Sequence, residues 1–337
     1  MIEHQKDRLI QYEQIVMGEY PYIMNNNVHT LSLECLHELF INATIFLNTE
    51  YIYKFLELKD ENNGNHPKIN INYQDNDGNT ALHYICSHKS QKKDVILYIV
   101  KLFIQHQADI NLPNYKGFTP LMYACQNDNE EVVKLLVNHH ANINAVNHNQ
   151  QTAIMLACLE PCRETINLLI NKGADLDIQD TLHQDTALTL ACRHYQNTNI
   201  IKDLIVRGKA NINLANGDGN TPLILTCQND IIHIPKLLVD YGAEVNTRNK
   251  VDQSSALLVT MNNCNYSMMK YLLNHGADIN IRNARGETPL MIACRINNKY
   301  MAEYLLERKP DLTLRDVDGH TAKEITEMNH YPSILGL

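Results

Sequence analysis

No stretch of the chain approaches the apolar length that a transmembrane helix needs, and the first residues, Met1-Ile2-Glu3-His4-Gln5-Lys6-Asp7, place charge where a secretory leader needs an apolar segment. Positive charge is in deficit. The 29 Lys and Arg against 38 Asp and Glu leave a formal net charge of -9, which gives no electrostatic reason to expect nucleic acid or an anionic membrane as partner. Cysteine pairing is lacking as well: nine is an odd count and six of the nine recur at one position of a repeat, which argues for reduced thiols in a cytoplasmic compartment. Phosphate loop, dinucleotide fingerprint, kinase motif set, nucleophile elbow and H-E-x-x-H are all missing. Asp75 to Thr80 (DNDGNT) imitates the start of a calcium loop, but its twelfth position is Cys86 where a bidentate Glu is required. Cys158 and Cys162 have no second ligand pair at zinc spacing, and His139, His140 and His148 fall at a helix end and a turn. The expectation is a chain with no catalytic residue, no metal and no cofactor.

What is present is a phrase that returns. Asp218 to Cys227 reads DGNTPLILTC, and similar stretches begin at Asp77, Lys116, Asn149, His183, Asp252, Arg285 and Asp318. Taking the Thr or Ser of each as a ruler gives Thr80, Thr119, Thr152, Thr186, Thr221, Ser255, Thr288 and Thr321, spaced by 39, 33, 34, 35, 34, 33 and 33 residues. Such a period marks a repeat array. Each phrase runs from a turn into a short apolar helix, and a second amphipathic helix such as Val132 to His140 follows with Leu and Val at spacings of three and four.

The chain resembles the ankyrin-repeat family, closest at Thr119-Pro120-Leu121, Thr221-Pro222-Leu223 and Thr288-Pro289-Leu290, with Thr80-Ala81-Leu82-His83 retaining the family histidine. The resemblance runs from about residue 76 to the C-terminus. It implies an all-α solenoid of turn-helix-helix units with β-hairpin fingers, in one curved stack. The expected organisation is an N-terminal helical extension over 1–29, a degenerate capping repeat with an enlarged loop over 30–76, seven repeats over 77–315 and a capping half-repeat over 316–337.

The residues support the same reading physically. A Thr hydroxyl at a helix start accepts backbone N–H groups, and a following Pro loses nothing there by lacking its own. Cys86, Cys125, Cys158, Cys192, Cys227 and Cys294 stand where the family uses a small residue, and buried free Cys serves as a small hydrophobe. The turn glycine of most copies is replaced by Gln150, Gln184 and Gln253, which predicts positive φ at a cost of about 1 kcal/mol each. One-residue insertions before Thr186 and Ser255 are expected to relieve that strain, and six extra residues within Ser87 to Val95 to lengthen a loop.

Function, in this reading, sits where copies differ: finger tips and the exposed ends of first helices. Those positions hold Tyr115, Lys116, Phe118 and Gln126 in one copy, then His148, Leu159 and Glu160. Leu182, His183, Arg193 and His194 follow, with Arg285 and Arg295 further along. Tyr115, Phe118, Leu159 and Leu182 are the apolar members, and a folded stack has no use for them at a tip. The expected activity is a monomeric, non-enzymatic module that holds one or more protein partners, with neither nucleic acid nor membrane insertion. An adaptor remains the alternative, its N-terminal segment recruiting machinery while the repeats choose the client. The Asn-, Lys- and Ile-rich usage is similar in style to ankyrin effectors that intracellular bacteria inject into host cells, which would place the chain in the host cytosol. Asn246 and Asn280, in LVDYGAEVN and LLNHGADIN, resemble the ankyrin asparagines targeted by an oxygen-dependent hydroxylase, and a mass gain of one oxygen on either, in cells containing that enzyme, is the readout.

Overall fold

The computed structural model describes residues 31–59, 68–89, 91–159, 162–194, 197–229 and 231–329, in two compact units, Met1–Pro120 and Leu121–Leu337. The expected extension over 1–29 lies outside the described residues. Among those described, the secondary structure is helical, and an antiparallel bridge pairs Arg248 with Ser255. The fingers are hydrogen-bonded turns rather than strand pairs.

In the first unit, α1 (Leu33–Ile45) and α2 (Thr49–Glu57) precede α3 (Ala81–Cys86) and α4 (Lys93–Gln105). Ser32 and Asn48 start the first two by accepting the N–H groups of Cys35 and Tyr51. Phe40 meets Phe55 edge-on at 6.2 Å and Phe103 at 5.5 Å, so the degenerate first pair shares a core with α4. The six extra residues do not all go into a loop. α4 has 13 residues where α6 (Glu130–Asn138) has 9, so much of the insertion extends a helix.

The second unit alternates first and second helices: α5 (Pro120–Gln126) and α6, α7 (Ala153–Leu159) and α8 (Arg163–Asn171), α9 (Ala187–His194) and α10 (Thr198–Val206), α11 (Pro222–Cys227) and α12 (His233–Asp240). Then come α13 (Ala256–Asn262) and α14 (Tyr266–Asn274), α15 (Pro289–Arg295) and α16 (Lys299–Leu306), and α17 (Ala322–Met328). Oγ of Thr221, Ser255 and Thr288 accepts the N–H three residues on at 3.3, 3.4 and 3.3 Å, and Pro222 and Pro289 occupy the first turn. Helices this short are marginal alone and are held by burying one face against neighbours. All six repeated cysteines are buried thiols. Burial pushes the thiols of Cys158, Cys227 and Cys294 up to about 12, which suppresses the reactive thiolate.

Within the second unit, side-chain amides stitch one repeat to the next. Oδ1 of Asn144, Asn213, Asn246 and Asn280 accepts the N–H of Asp175, Glu244, Asp278 and Asp311 in the following repeat, at 2.8 to 2.9 Å. Asn246 also donates to the Gly276 carbonyl at 3.0 Å. The two asparagines singled out for hydroxylation are therefore members of this structural column.

Gln150, Gln184 and Gln253 do adopt positive φ, at 58°, 54° and 56°. The insertions leave the strain in place at Gln184 and Gln253. Compensation comes instead from the next finger. A Cβ on Gly78 would lie 2.6 Å from the Tyr115 ring, and one on Gly219 would lie 2.7 Å from Lys250 N. Where the residue is Gln, the finger that follows presents the smaller Thr181, Gly217 or Ala284 at the corresponding position. Gly219→Ala should thus destabilise by about 2 kcal/mol, and Gln150→Gly should stabilise by about 0.5–1 kcal/mol, as read from urea denaturation midpoints at unchanged slope.

His83 is buried and held by hydrogen bonds at both ring nitrogens. The Thr80 N–H donates to Nδ1 at 3.0 Å, which puts the proton of the neutral ring on Nε2, and Nε2 faces the Phe118 carbonyl at 3.1 Å. Burial pushes the imidazole down to about 4. The folded state then prefers the neutral ring, so its stabilisation is complete above the ordinary value near 6.5 and is lost as pH falls from there toward 4. The stability gap between the intact chain and His83→Gln should shrink by on the order of 2 kcal/mol between about pH 7 and pH 4.5.

Candidate partner-binding surface

Each finger is built on one Asn or Asp at its base. In the five-residue fingers the side-chain oxygen accepts the N–H groups two and four positions on: Asn114 from Lys116 and Phe118, Asn147 from Asn149 and Gln151, and Asn283 from Arg285 and Glu287, all at 2.9 to 3.0 Å. In the two fingers that carry an extra residue, Asp180 and Asn249 accept from the third and fifth positions, His183 with Asp185 and Asp252 with Ser254. The added residue is therefore absorbed at the tip, where Leu182 is 60% and Val251 is 71% exposed.

Fingers also bond to one another through the main chain. In the second unit the N–H of Thr181, Gly217, Lys250, Ala284 and Val317 donates to the carbonyl of Asn149, His183, Asp218, Asp252 and Arg285. Guanidinium and amide groups clip the same edge. Gln179 donates to the carbonyls of Gln184 and Ala215, and Arg282 to those of Gly286 and Arg315. These clips were not read from the sequence, although each lies just before the Asn or Asp of its finger.

The residues expected to bind fall into three groups. His148, Leu182, His183, His194 and Arg285 are exposed in the second unit, and Tyr115 and Lys116 in the first. Phe118, Gln126 and Leu159 are only half-buried, and Glu160 lies outside the described residues. Tyr115, though 61% exposed, lays its ring over Gly78, so the stack does have a use for it.

Arg193 and Arg295 form the third group, already engaged in ion pairs. Arg193 Nη1 is 2.8 Å from Asp185 Oδ2, and Arg295 Nε is 2.9 Å from Glu287 Oε1. Both acids directly precede the Thr of their repeat and both arginines lie seven residues after it, so one pair recurs at two registers. Asp185 is fully buried, and burial raises its carboxyl against the opposing pull of Arg193. Arg193→Ala should cost roughly 1–3 kcal/mol by stranding that carboxylate, and adding Asp185→Asn should recover part of the loss in a double-mutant cycle.

Asp316, Asp318 and His320 have ligand atoms within 4.8 Å of one another, yet Asp316 Oδ1 is already occupied by the N–H groups of Asp318 and His320 in the usual finger turn. No helix among the described residues is long and apolar enough to cross a membrane.

The comparisons agree with this architecture. A family model described as "Ankyrin repeats (3 copies)" matches residues 39–147, 96–180, 154–249, 188–283 and 245–316. The chain is similar to ankyrin repeat and SAM domain-containing protein 6 of Rattus norvegicus, 29% identical over 136 residues, and of Mus musculus, 27% identical over 136 residues. Each match covers 40% of this chain and 12% of that protein. The chain is also similar to the crystal structure of the ankyrin repeat domain of Bcl-3, titled a unique member of the IkappaB protein family, with TM-score 0.59, 28% identity, and coverage of 68% of this chain and 99% of that one. With repeated turn-helix-helix units and a family match that runs from residue 39 to 316, the chain belongs to the ankyrin-repeat family.

Proposed function

We propose that the chain is a non-enzymatic interaction module of the cytoplasm that holds a protein partner on finger tips and first-helix ends of the Leu121–Leu337 unit. One observation carries the reading: both fingers with an extra residue spend it on an exposed apolar side chain, Leu182 and Val251, while the turn beneath keeps its hydrogen bonds. Solvent does not reward such residues, and partner burial does. His148, His183 and Arg285 supply polar contacts beside them. Leu182→Ser with Val251→Ser should leave helical content unchanged by circular dichroism and weaken partner binding by about 10- to 100-fold in affinity capture from lysate. Equal capture by the variant would move the site off the fingers. A truncation lacking residues 1–29 tests the adaptor alternative, which requires lost recruitment with retained client binding.

A further inference from the structure

The second helices of the Leu121–Leu337 unit change chemistry along the array. α6, α8 and α10 contain no aromatic residue, whereas α12, α14, α16 and their immediate flanks carry Tyr241, Tyr266, Tyr271, Tyr300 and Tyr304. Cations are seated on these rings. Lys236 Nζ lies 5.1 Å from the Tyr271 centroid, Lys270 Nζ lies 5.6 Å from Tyr266 and 5.1 Å from Tyr304, and the Arg308 guanidinium lies 3.7 Å from Tyr304. Tyr266 meets Tyr304 edge-on at 5.6 Å, and Tyr271 stacks on His275 at 4.0 Å. The cluster therefore spans three successive repeats.

The local charge runs against the chain total. Over His233–Asp240, Tyr266–Asn274 and 299–309, five cations stand against three anions, a net of +2 in a protein of net -9. Two of the anions are already used, Asp240 by the Tyr271 hydroxyl and Glu303 by Lys299 at 3.7 Å. Among the described residues Lys236, Lys270 and Arg308 form no ion pair with a carboxylate; Arg308 donates to Asn274 at 3.1 Å. A cation held over a ring keeps donors available for an anion, at little cost in lost side-chain freedom. Tyr300, 78% exposed, adds an apolar body with a polar tip.

We infer that this second-helix face, centred on Lys270 between Tyr266 and Tyr304, is a docking surface for an acidic segment of a protein partner, distinct from the finger tips. Carboxylates would complete Lys236, Lys270 and Arg308, and apolar residues between them would cover the exposed Tyr266 and Tyr300; Tyr304 is itself buried in the repeat. A nucleic acid fits less well, because its continuous phosphate charge would meet the acidic remainder of the chain.

The test uses the full chain and a fluorescein-labelled peptide of alternating Glu and Leu, with a Lys-and-Leu peptide as control, followed by fluorescence anisotropy. The acidic peptide should bind, the basic one should not, and added salt should weaken binding. Lys270→Gln with Arg308→Gln should lower affinity about tenfold or more, while Lys270→Arg, which keeps the charge and the ring contact, should hold it near the original value. If the Gln variant loses thermal stability while binding the peptide as well as the intact chain, the cations only tie repeats together and the proposal is overturned. It is also overturned if the acidic peptide does not bind the intact chain at low salt, or if sedimentation shows self-association that the Gln variant abolishes, which would make a second copy the occupant.

Discussion

A side-chain oxygen at the base of each finger, buried at Asn147, Asp180, Asn216 and Asn249, is the constraint on which the rest of the second unit depends. Asn147, Asn216 and Asn249 are nearly inaccessible, and each satisfies backbone N–H groups of its own turn that would otherwise be orphaned. A buried donor left unpaired costs about 1–3 kcal/mol, so the choice of Asn or Asp at this point fixes the turn far more firmly than its tip sequence does. With the turn fixed, its carbonyl is delivered to the N–H of the next finger and its Thr is delivered to the start of the next helix. Order passes from copy to copy through nearest neighbours, as a quasi-one-dimensional fold requires.

This arrangement explains why substitutions at the tip are tolerated and why they come in matched sets. A residue at positive φ next to a neighbour's backbone wants to be glycine when the neighbour is bulky. It can be glutamine when the neighbour is small. Gly78 under Tyr115 and Gly219 beside Lys250 are one solution, and Gln184 near Gly217 is the other.

Much of this was legible in the sequence. The 33-residue period, the Thr caps, the buried cysteines and the positive φ at three glutamines all follow from local rules, because each depends on residues within one repeat. Two things were hidden because they depend on the adjacent copy, and a third because it depends on which residue a lengthened turn pushes outward. Tyr115 reads as a stranded aromatic until Gly78 of the preceding finger is seen beneath it. Arg282, to which the sequence pattern assigned no role, bonds the carbonyl of Arg315 in the next repeat. The insertions before Thr186 and Ser255 read as relief for a strained glutamine, whereas the hydrogen bonds of Asp180 and Asn249 show the extra residue pushed outward.

Arg193 and Arg295 show what residue type alone leaves out: each is paired with an acid of its own repeat. Arginine is enriched at binding hot spots, and both stand at exposed helix ends. Across the other repeats of the second unit, however, acid and arginine are absent together: Asn220 accompanies Gln228, and Ser254 accompanies Asn262. Alone, the acid would be an uncompensated buried charge, a costly defect, so the arginine answers first to its neighbour. Recognition is then better sought in side chains that no neighbour uses, and Leu182 and Val251 meet that condition because their fingers would close equally well without them.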